Sequence, residues 1–343
     1  MPTGLFAFIA ILFTSGLDVG LIMFPLTEFP VYAAEANYEF TNPLAMAFGA
    51  WGFLVWALYF LTTFYFCVVE PKLKLFQIPA VKFVNNIVII GTCAFTGFLF
   101  LSYLPDYISG ISNLQRFALV AVVVLFAVLS STDVRYVKIL SLSSTWLFYV
   151  LIAAMWIASG IGISGMLENL SLLADYFPNI HKFAMPVSDY HQFYLFWWMA
   201  WSIMIGQFVA RFVGGLKTWQ LLLALLILPS IPLALWFSVL YAYYAGGIDI
   251  SPIMNVFMIV VGIVFVINSL DSLTRLYTDN LDISVKRFGL VKYIGMNWVM
   301  LFGLVLLYQF TPLEIEWVGL IVIGIYCVVA ALTFKNQSKL REA

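Results

Sequence analysis

Apolar runs long enough to cross a bilayer dominate the chain. A helix needs about 20 such residues to span the hydrocarbon. Ten runs reach that length, at about residues 4–25, 44–69, 81–104, 114–132, 138–162, 191–213, 219–245, 252–275, 289–310 and 315–334. None alternates in polarity as a barrel strand would. Of the 343 residues, 64% are hydrophobic and 10% charged, against about 45–50% and about 25% in a soluble domain. Such a surplus of apolar surface has to face lipid. The expected class is therefore an all-α integral membrane protein with ten transmembrane helices. A formal net charge of −1 points to no nucleic-acid partner. Cys67, Cys93 and Cys327 each lie inside an apolar run without a CxxC spacing, so neither a disulfide, a metal centre nor a resident cofactor is expected. The first run lacks a cationic flank and contains Asp18, which marks it as a retained helix rather than a cleaved signal.

The distribution of positive charge orients these helices. With the N-terminus placed in the cytoplasm, fourteen of the sixteen Lys and Arg residues fall in cytoplasmic loops, and only Arg116 and Lys182 fall outside. That bias is the positive-inside pattern, and it predicts both termini on the cytoplasmic face of the inner membrane. The longest connection, 163–190, follows the fifth run. It divides one transporter domain, 1–343, into repeat one (about 4–162) and repeat two (about 191–334). An odd number of spans per half gives the halves opposite topology, the arithmetic of a 5+5 inverted repeat. Within the linker, Leu167, Leu170, Leu173 and Phe177 recur at helical spacing, which predicts an amphipathic helix on the outer interface.

Three groups of residues carry chemistry. Gly16 and Gly20 flank Asp18 in mid-helix. Two glycines at this spacing allow unwinding, which a membrane tolerates only beside a cavity or a protein partner; close helix packing is the plainer alternative. A carboxylate at that depth, costing about 2.5–3.5 kcal/mol on insertion scales, usually binds a cation or a proton. The second group is aromatic. Trp51, Trp56 and Tyr59 fall in a wedge of about 140°, and Trp197, Trp198 and Trp201 in one of about 100°. Trp normally marks the membrane interface, but a cluster several residues inside a helix also suits a cage for a quaternary ammonium, which cannot donate hydrogen bonds. The third is Asn268-Ser269 in the eighth run, oxygen-bearing side chains suited to a hard cation. Three residues on, Asp271 and Arg275 have the i,i+4 spacing of a helix-face ion pair. His181 and His191 are the only histidines, no catalytic triad or phosphate loop is visible, and the chain is not expected to be an enzyme.

Together these segments resemble the betaine/choline/carnitine transporter (BCCT) family. Phe193 to Arg211 reads FYLFWWMAWSIMIGQFVAR and is similar to the family's Trp-rich signature, FYWxWWxxWSPFVGxFxAR. Gly16 to Gly20 followed by Glu28, Trp51-Gly52 with Trp56 and Tyr59, Val134-Arg135-Tyr136, and Phe265 to Ser272 resemble four further family segments in the same order. The chain departs from the pattern at Asp18 (for Gly), Leu195 (for Trp), Ile203-Met204 (for Pro-Phe) and Asn268 (for Thr), and reads as a shortened form without the family's two N-terminal helices.

The resemblance implies the LeuT-like fold and a secondary active transporter importing betaine, choline or carnitine, coupled to Na+ or H+. The alternative on the same scaffold is a precursor/product exchanger or a carrier of another amine or amino acid. It implies a substrate box of Trp51, Trp56, Tyr59 and Trp198, with Trp197 and Trp201 on the path or at a neighbouring site. It also implies an ion site formed by Asn268, Ser269 and the carbonyls of Thr14, Leu17 and Phe265, near Asp18. By the same analogy the protein assembles as a homotrimer in the lipid.

Overall fold

The computed structural model describes residues 5–15 and 19–341. Among these the regular structure is entirely helical. Thirteen helices carry the architecture: α1 (Leu5–Ser15), α2 (Val19–Ala34), α3 (Pro43–Trp51), α4 (Phe53–Phe64), α5 (Pro79–Tyr107), α6 (Asn113–Ser130), α7 (Arg135–Ser159), α8 (Ile163–Leu172), α9 (Asp189–Val209), α10 (Ser230–Gly246), α11 (Pro252–Asn280), α12 (Leu290–Phe310) and α13 (Ile315–Lys335). Eight segments among the described residues are long and apolar enough to cross a membrane: Pro43–Leu73, Pro79–Tyr107, Asn113–Ser130, Arg135–Ser159, Thr218–Gly246, Pro252–Asn280, Leu290–Phe310 and Ile315–Lys335. The chain is a multi-pass membrane protein. Within the first predicted run the described residues form α1 and the start of α2, and the sixth run is α9.

Breaks in these helices are met by side chains from elsewhere. Pro25 lies inside α2 and has no N–H to offer the carbonyl four residues back. That carbonyl, on Leu21, accepts instead from Trp236 Nε1 of α10 at 2.9 Å. Gly52 separates α3 from α4, and the amide of Val55 bonds the Gly52 carbonyl, leaving the carbonyl of Trp51 free. Trp56 Nε1 donates to it at 3.1 Å. In hydrocarbon, where no water can serve, such replacement donors are what make a broken helix tolerable.

The centre of the bundle is formed by α5, α9 and α11. The closest-packed pairs are α9 with α13 and α4, α11 with α5, α7 and α6, α12 with α5, and α1 with α7. Two glycines bring α9 into near backbone contact on both sides. A Cβ on Gly206 would lie 2.8 Å from Thr62 of α4, and one on Gly319 would lie 2.7 Å from the Phe196 carbonyl of α9. This is the small-residue packing that membrane helices use in place of a hydrophobic driving force.

The Asp271–Arg275 pair does more than line one helix face. Asp271 is fully buried. Arg275 bonds it at 3.1 and 2.9 Å and reaches across to the carbonyls of Ser130 and, at 2.6 Å, Asp133. Ser130 Oγ completes the knot by donating to Asp271 at 2.8 Å. One ion pair thus ties α11 to the turn between α6 and α7.

The linker differs from its expected form. Its helix α8 ends at Leu172 and is followed by a 3-10 turn, Leu173–Asp175. Met166, Leu173, Tyr176 and Phe183 are buried while Leu167 and Phe177 face outward. Asp175 anchors the segment, accepting from Thr41 Oγ1 at 2.7 Å and from the Asn42 amide at 3.3 Å.

Candidate functional site

Rings from α3 and α9 converge in the interior. Tyr194, Trp197 and Trp198 stand at i, i+3 and i+4 on α9 and therefore share a face. Trp51, the last residue of α3 before the Gly52 break, meets that face edge-on. Its ring centroid lies 4.8 Å from Trp198, 5.5 Å from Trp197 and 5.8 Å from Tyr194. Trp197 and Trp198 stack at 4.8 Å with planes 10° apart, and Tyr194 stacks on Trp198 at 6.0 Å. All four residues are buried. Phe24 of α2 adds a fifth ring, 6.3 Å from Trp51 and 6.1 Å from Trp197.

The remaining expected aromatic residues are placed less uniformly. Tyr59 meets the cluster at Trp198, at 6.4 Å, and Trp56 meets Tyr59, at 5.4 Å. Trp56 has its indole N–H committed to the Trp51 carbonyl. Trp201 is buried but makes no ring contact among the described residues. The sequence reading missed Tyr194, although its i+3 and i+4 spacing to Trp197 and Trp198 was there to be read.

The cluster is closed: its rings lie against one another with centroids within the distance at which a cation would sit over a single face, about 6 Å. Beside it lies a cavity of about 180 Å³ lined by Tyr194, Trp198, His191, Ala50, Val55 and Phe183 among others. The indole N–H groups of Trp51, Trp197 and Trp198 are buried without an acceptor among the described residues. Buried donors are nearly always paired, so three orphans around one aromatic centre mark a place that an acceptor can fill.

Of the expected ion ligands, Leu17 and Asp18 lie outside the described residues. Thr14, Phe265, Asn268 and Ser269 are buried. Asn268 Nδ2 donates to the Thr14 carbonyl at 3.1 Å, and Ser141 Oγ approaches Asn268 Oδ1 at 3.4 Å. The Thr14 hydroxyl is used within its own helix, donating to the Ala10 carbonyl at 2.8 Å. The Thr14 carbonyl, one of the expected ion ligands, is therefore engaged by an amide N–H. The donor set fits a sodium ion there only after Asn268 turns its oxygen inward.

Glu28 is a second residue that the sequence reading passed over. It is 2% exposed and accepts from three phenols: Tyr190 at 2.5 Å, Tyr32 at 3.2 Å, and Tyr194. The Tyr194 hydroxyl thus touches Glu28 while its ring packs on Trp51 and Trp198.

Comparison with known proteins matches residues 81–245 to the family described as BCCT, betaine/carnitine/choline family transporter. The glycine betaine transporter OpuD of Bacillus subtilis (strain 168) is 23% identical over 282 residues, covering 69% of this chain and 54% of OpuD. A glycine betaine/proline/choline transporter of Vibrio parahaemolyticus is 30% identical over 122 residues, covering 33% of this chain and 20% of the relative. The chain thus spans about half, or less, of the length of these curated relatives. The matched region contains the Trp-rich α9 that forms most of the aromatic centre. Residues 81–245, just under half of the chain, are thus similar to the betaine/carnitine/choline transporter family.

Proposed function

We propose that the protein is a secondary transporter that carries a quaternary-ammonium solute across the membrane, with the cationic head held by Trp51, Trp197, Trp198 and Tyr194. The observation that carries this reading is the convergence of those four buried rings from two helices. Ring faces attract a cation that has no hydrogen to donate, by about 0.5–2 kcal/mol or more once it is desolvated. The orphaned indole N–H groups favour a solute that also carries an acceptor, such as the carboxylate of glycine betaine. The names of the relatives, glycine betaine transporters among them, point the same way.

Ten spans in a 5+5 inverted repeat belong to the same reading, with α1–α2 and α9 added to the eight segments above. Its support is a pairing rule. Exchanging each helix for its counterpart five spans on turns the α1–α7 contact into α9–α13, and α12–α5 into α11–α6; the α11–α5 contact maps onto itself. Movement would come from the two halves rocking about the closed aromatic centre, with the Gly52 break and the Gly206 contact as places where α3, α4 and α9 shift against one another. Cytoplasmic termini in an inner membrane and a homotrimeric assembly are further parts of the proposal.

One observation favours a second reading of the coupling. With the Asn268 amide donating to the Thr14 carbonyl, one expected sodium ligand is already engaged by an N–H, which suits proton coupling or solute exchange better than sodium symport. Counterflow of radiolabelled glycine betaine into proteoliposomes tests both levels. Uptake in potassium-only buffer, driven by internal unlabelled solute, is the expected result. No counterflow in any buffer overturns transport of this solute, and counterflow only with sodium overturns the second reading.

A further inference from the structure

A buried carboxylate usually has a cationic partner, because its charge is strongly disfavoured away from water. Glu28 takes part in none of the ion pairs among the described residues. The groups that face it are phenols: Tyr32 on its own helix, Tyr38 of the short turn after it, Tyr103 and Tyr107 on α5, and Tyr190 and Tyr194 on α9. The charged groups next out are acids, Glu35 beside Tyr38 and Asp106 beside Tyr103. The only histidine on these elements, His191, uses Nδ1 to accept the Val187 amide. Three hydroxyl donors ease the charge on Glu28 but do not neutralise it.

Two features connect this carboxylate to its surroundings. Inward, Tyr194 joins it to the aromatic centre. Outward, Tyr190 and Tyr103 line an open cavity of about 620 Å³ with Asp189, Glu314 and Glu316, so water reaches the phenol that donates to Glu28. The missing counter-charge can therefore arrive by either side, as a proton from the cavity or as a cation among the indoles.

We propose that Glu28 is a proton-binding site that exchanges its proton for the cation held in the aromatic centre. The inference rests on the cation-binding reading above. With the centre empty, the carboxyl keeps its proton; when a positive head enters, the ionised form is favoured and one proton leaves through Tyr190 to the outer cavity. Charge balances, one positive charge entering and one leaving. Linkage is reciprocal, so acid weakens cation binding as much as the cation promotes proton release. At the separation set by one intervening phenol, and with an effective dielectric of about 20, the coupling amounts to about tenfold in affinity.

The test uses the purified full chain, with choline as a cation without a carboxylate and glycine betaine as a zwitterion, read by tryptophan fluorescence between pH 5 and pH 8. Proton release is followed with an indicator dye in weak buffer. The expected result is a choline affinity about tenfold lower at pH 5 than at pH 8, with up to one proton released per choline bound. Glu28→Gln should bind choline with no pH dependence and no proton release. Tyr190→Phe removes a donor to the carboxylate, so it should shift the pH dependence upward while retaining it. Measurable binding with flat pH dependence in the unaltered protein overturns the inference, and so does a pH dependence that survives in Glu28→Gln. Absence of binding at every pH overturns the cation-binding reading itself.

Discussion

Replacing Asn268 by Thr should convert a protein indifferent to sodium into one that sodium stabilises. In the native chain the Thr14 carbonyl is buried between α1 and α11 and its side-chain donor is the Asn268 amide. Threonine is too short to keep that bond. Losing that buried hydrogen bond costs about 1 kcal/mol or more, so Asn268→Thr should melt lower than the parent in potassium buffer. The substitution also removes the N–H from the pocket and puts a hydroxyl oxygen beside Ser269, opening room for a small cation among oxygens. If sodium binds there, it stabilises the folded state by RT ln(1 + [Na+]/Kd), or about 2.7 kcal/mol at a hundredfold excess over Kd. That is comparable to the loss, so sodium should restore most of the melting temperature. The assay is thermal unfolding of the detergent-purified protein in sodium against potassium at constant ionic strength. A parent protein that sodium itself stabilises would refute the reasoning, because it would mean that the Asn268 amide does not stand in for the ion.

Other predictions follow from the packing. Trp198→Leu should weaken quaternary-ammonium binding by about 2–30-fold, equivalent to the loss of one cation–π face, measured by titration calorimetry. Gly206→Val should destabilise the fold by about 1–3 kcal/mol, since its Cβ would sit 2.8 Å from Thr62 and helix backbones cannot part cheaply; thermal melting checks it. Arg275→Met should cost about 3–5 kcal/mol by stranding the buried Asp271, whereas the double change with Asp271→Leu should recover much of that loss, as a double-mutant melting series would reveal.

The helical architecture was legible because the apolar runs are long and nearly free of charge. What sequence could not show is where helices break and what then satisfies their backbone. The run 44–69 reads as one helix, yet it breaks at Gly52, between two of the expected box residues, and Trp56 spends its indole N–H on that break rather than on a ligand. Glu28 lies beyond the first apolar run, which ends at about residue 25 in the sequence. The helix nevertheless continues through Pro25 and Pro30 to Ala34, with Trp236 on α10 serving the carbonyl that Pro25 leaves open. Such long-range compensation has no local signal. The site divides in the same way. Helical spacing was enough to set Trp197 and Trp198 on a common face, but which of the α3–α4 rings meets them depends on the break. Trp51 does so, Trp56 is turned to its own backbone, and Trp201, one turn beyond, has no ring partner among the described residues.

The central claim is that ring faces bind a positive charge rather than a shape. It is tested most directly by comparing glycine betaine with 3,3-dimethylbutanoate, in which carbon replaces the nitrogen and the bulk and carboxylate are kept. Calorimetric titration of both on the purified protein should give an affinity about tenfold or more higher for the ammonium compound. Equal affinities would contradict the account, since the aromatic centre would then be recognising only bulk and carboxylate.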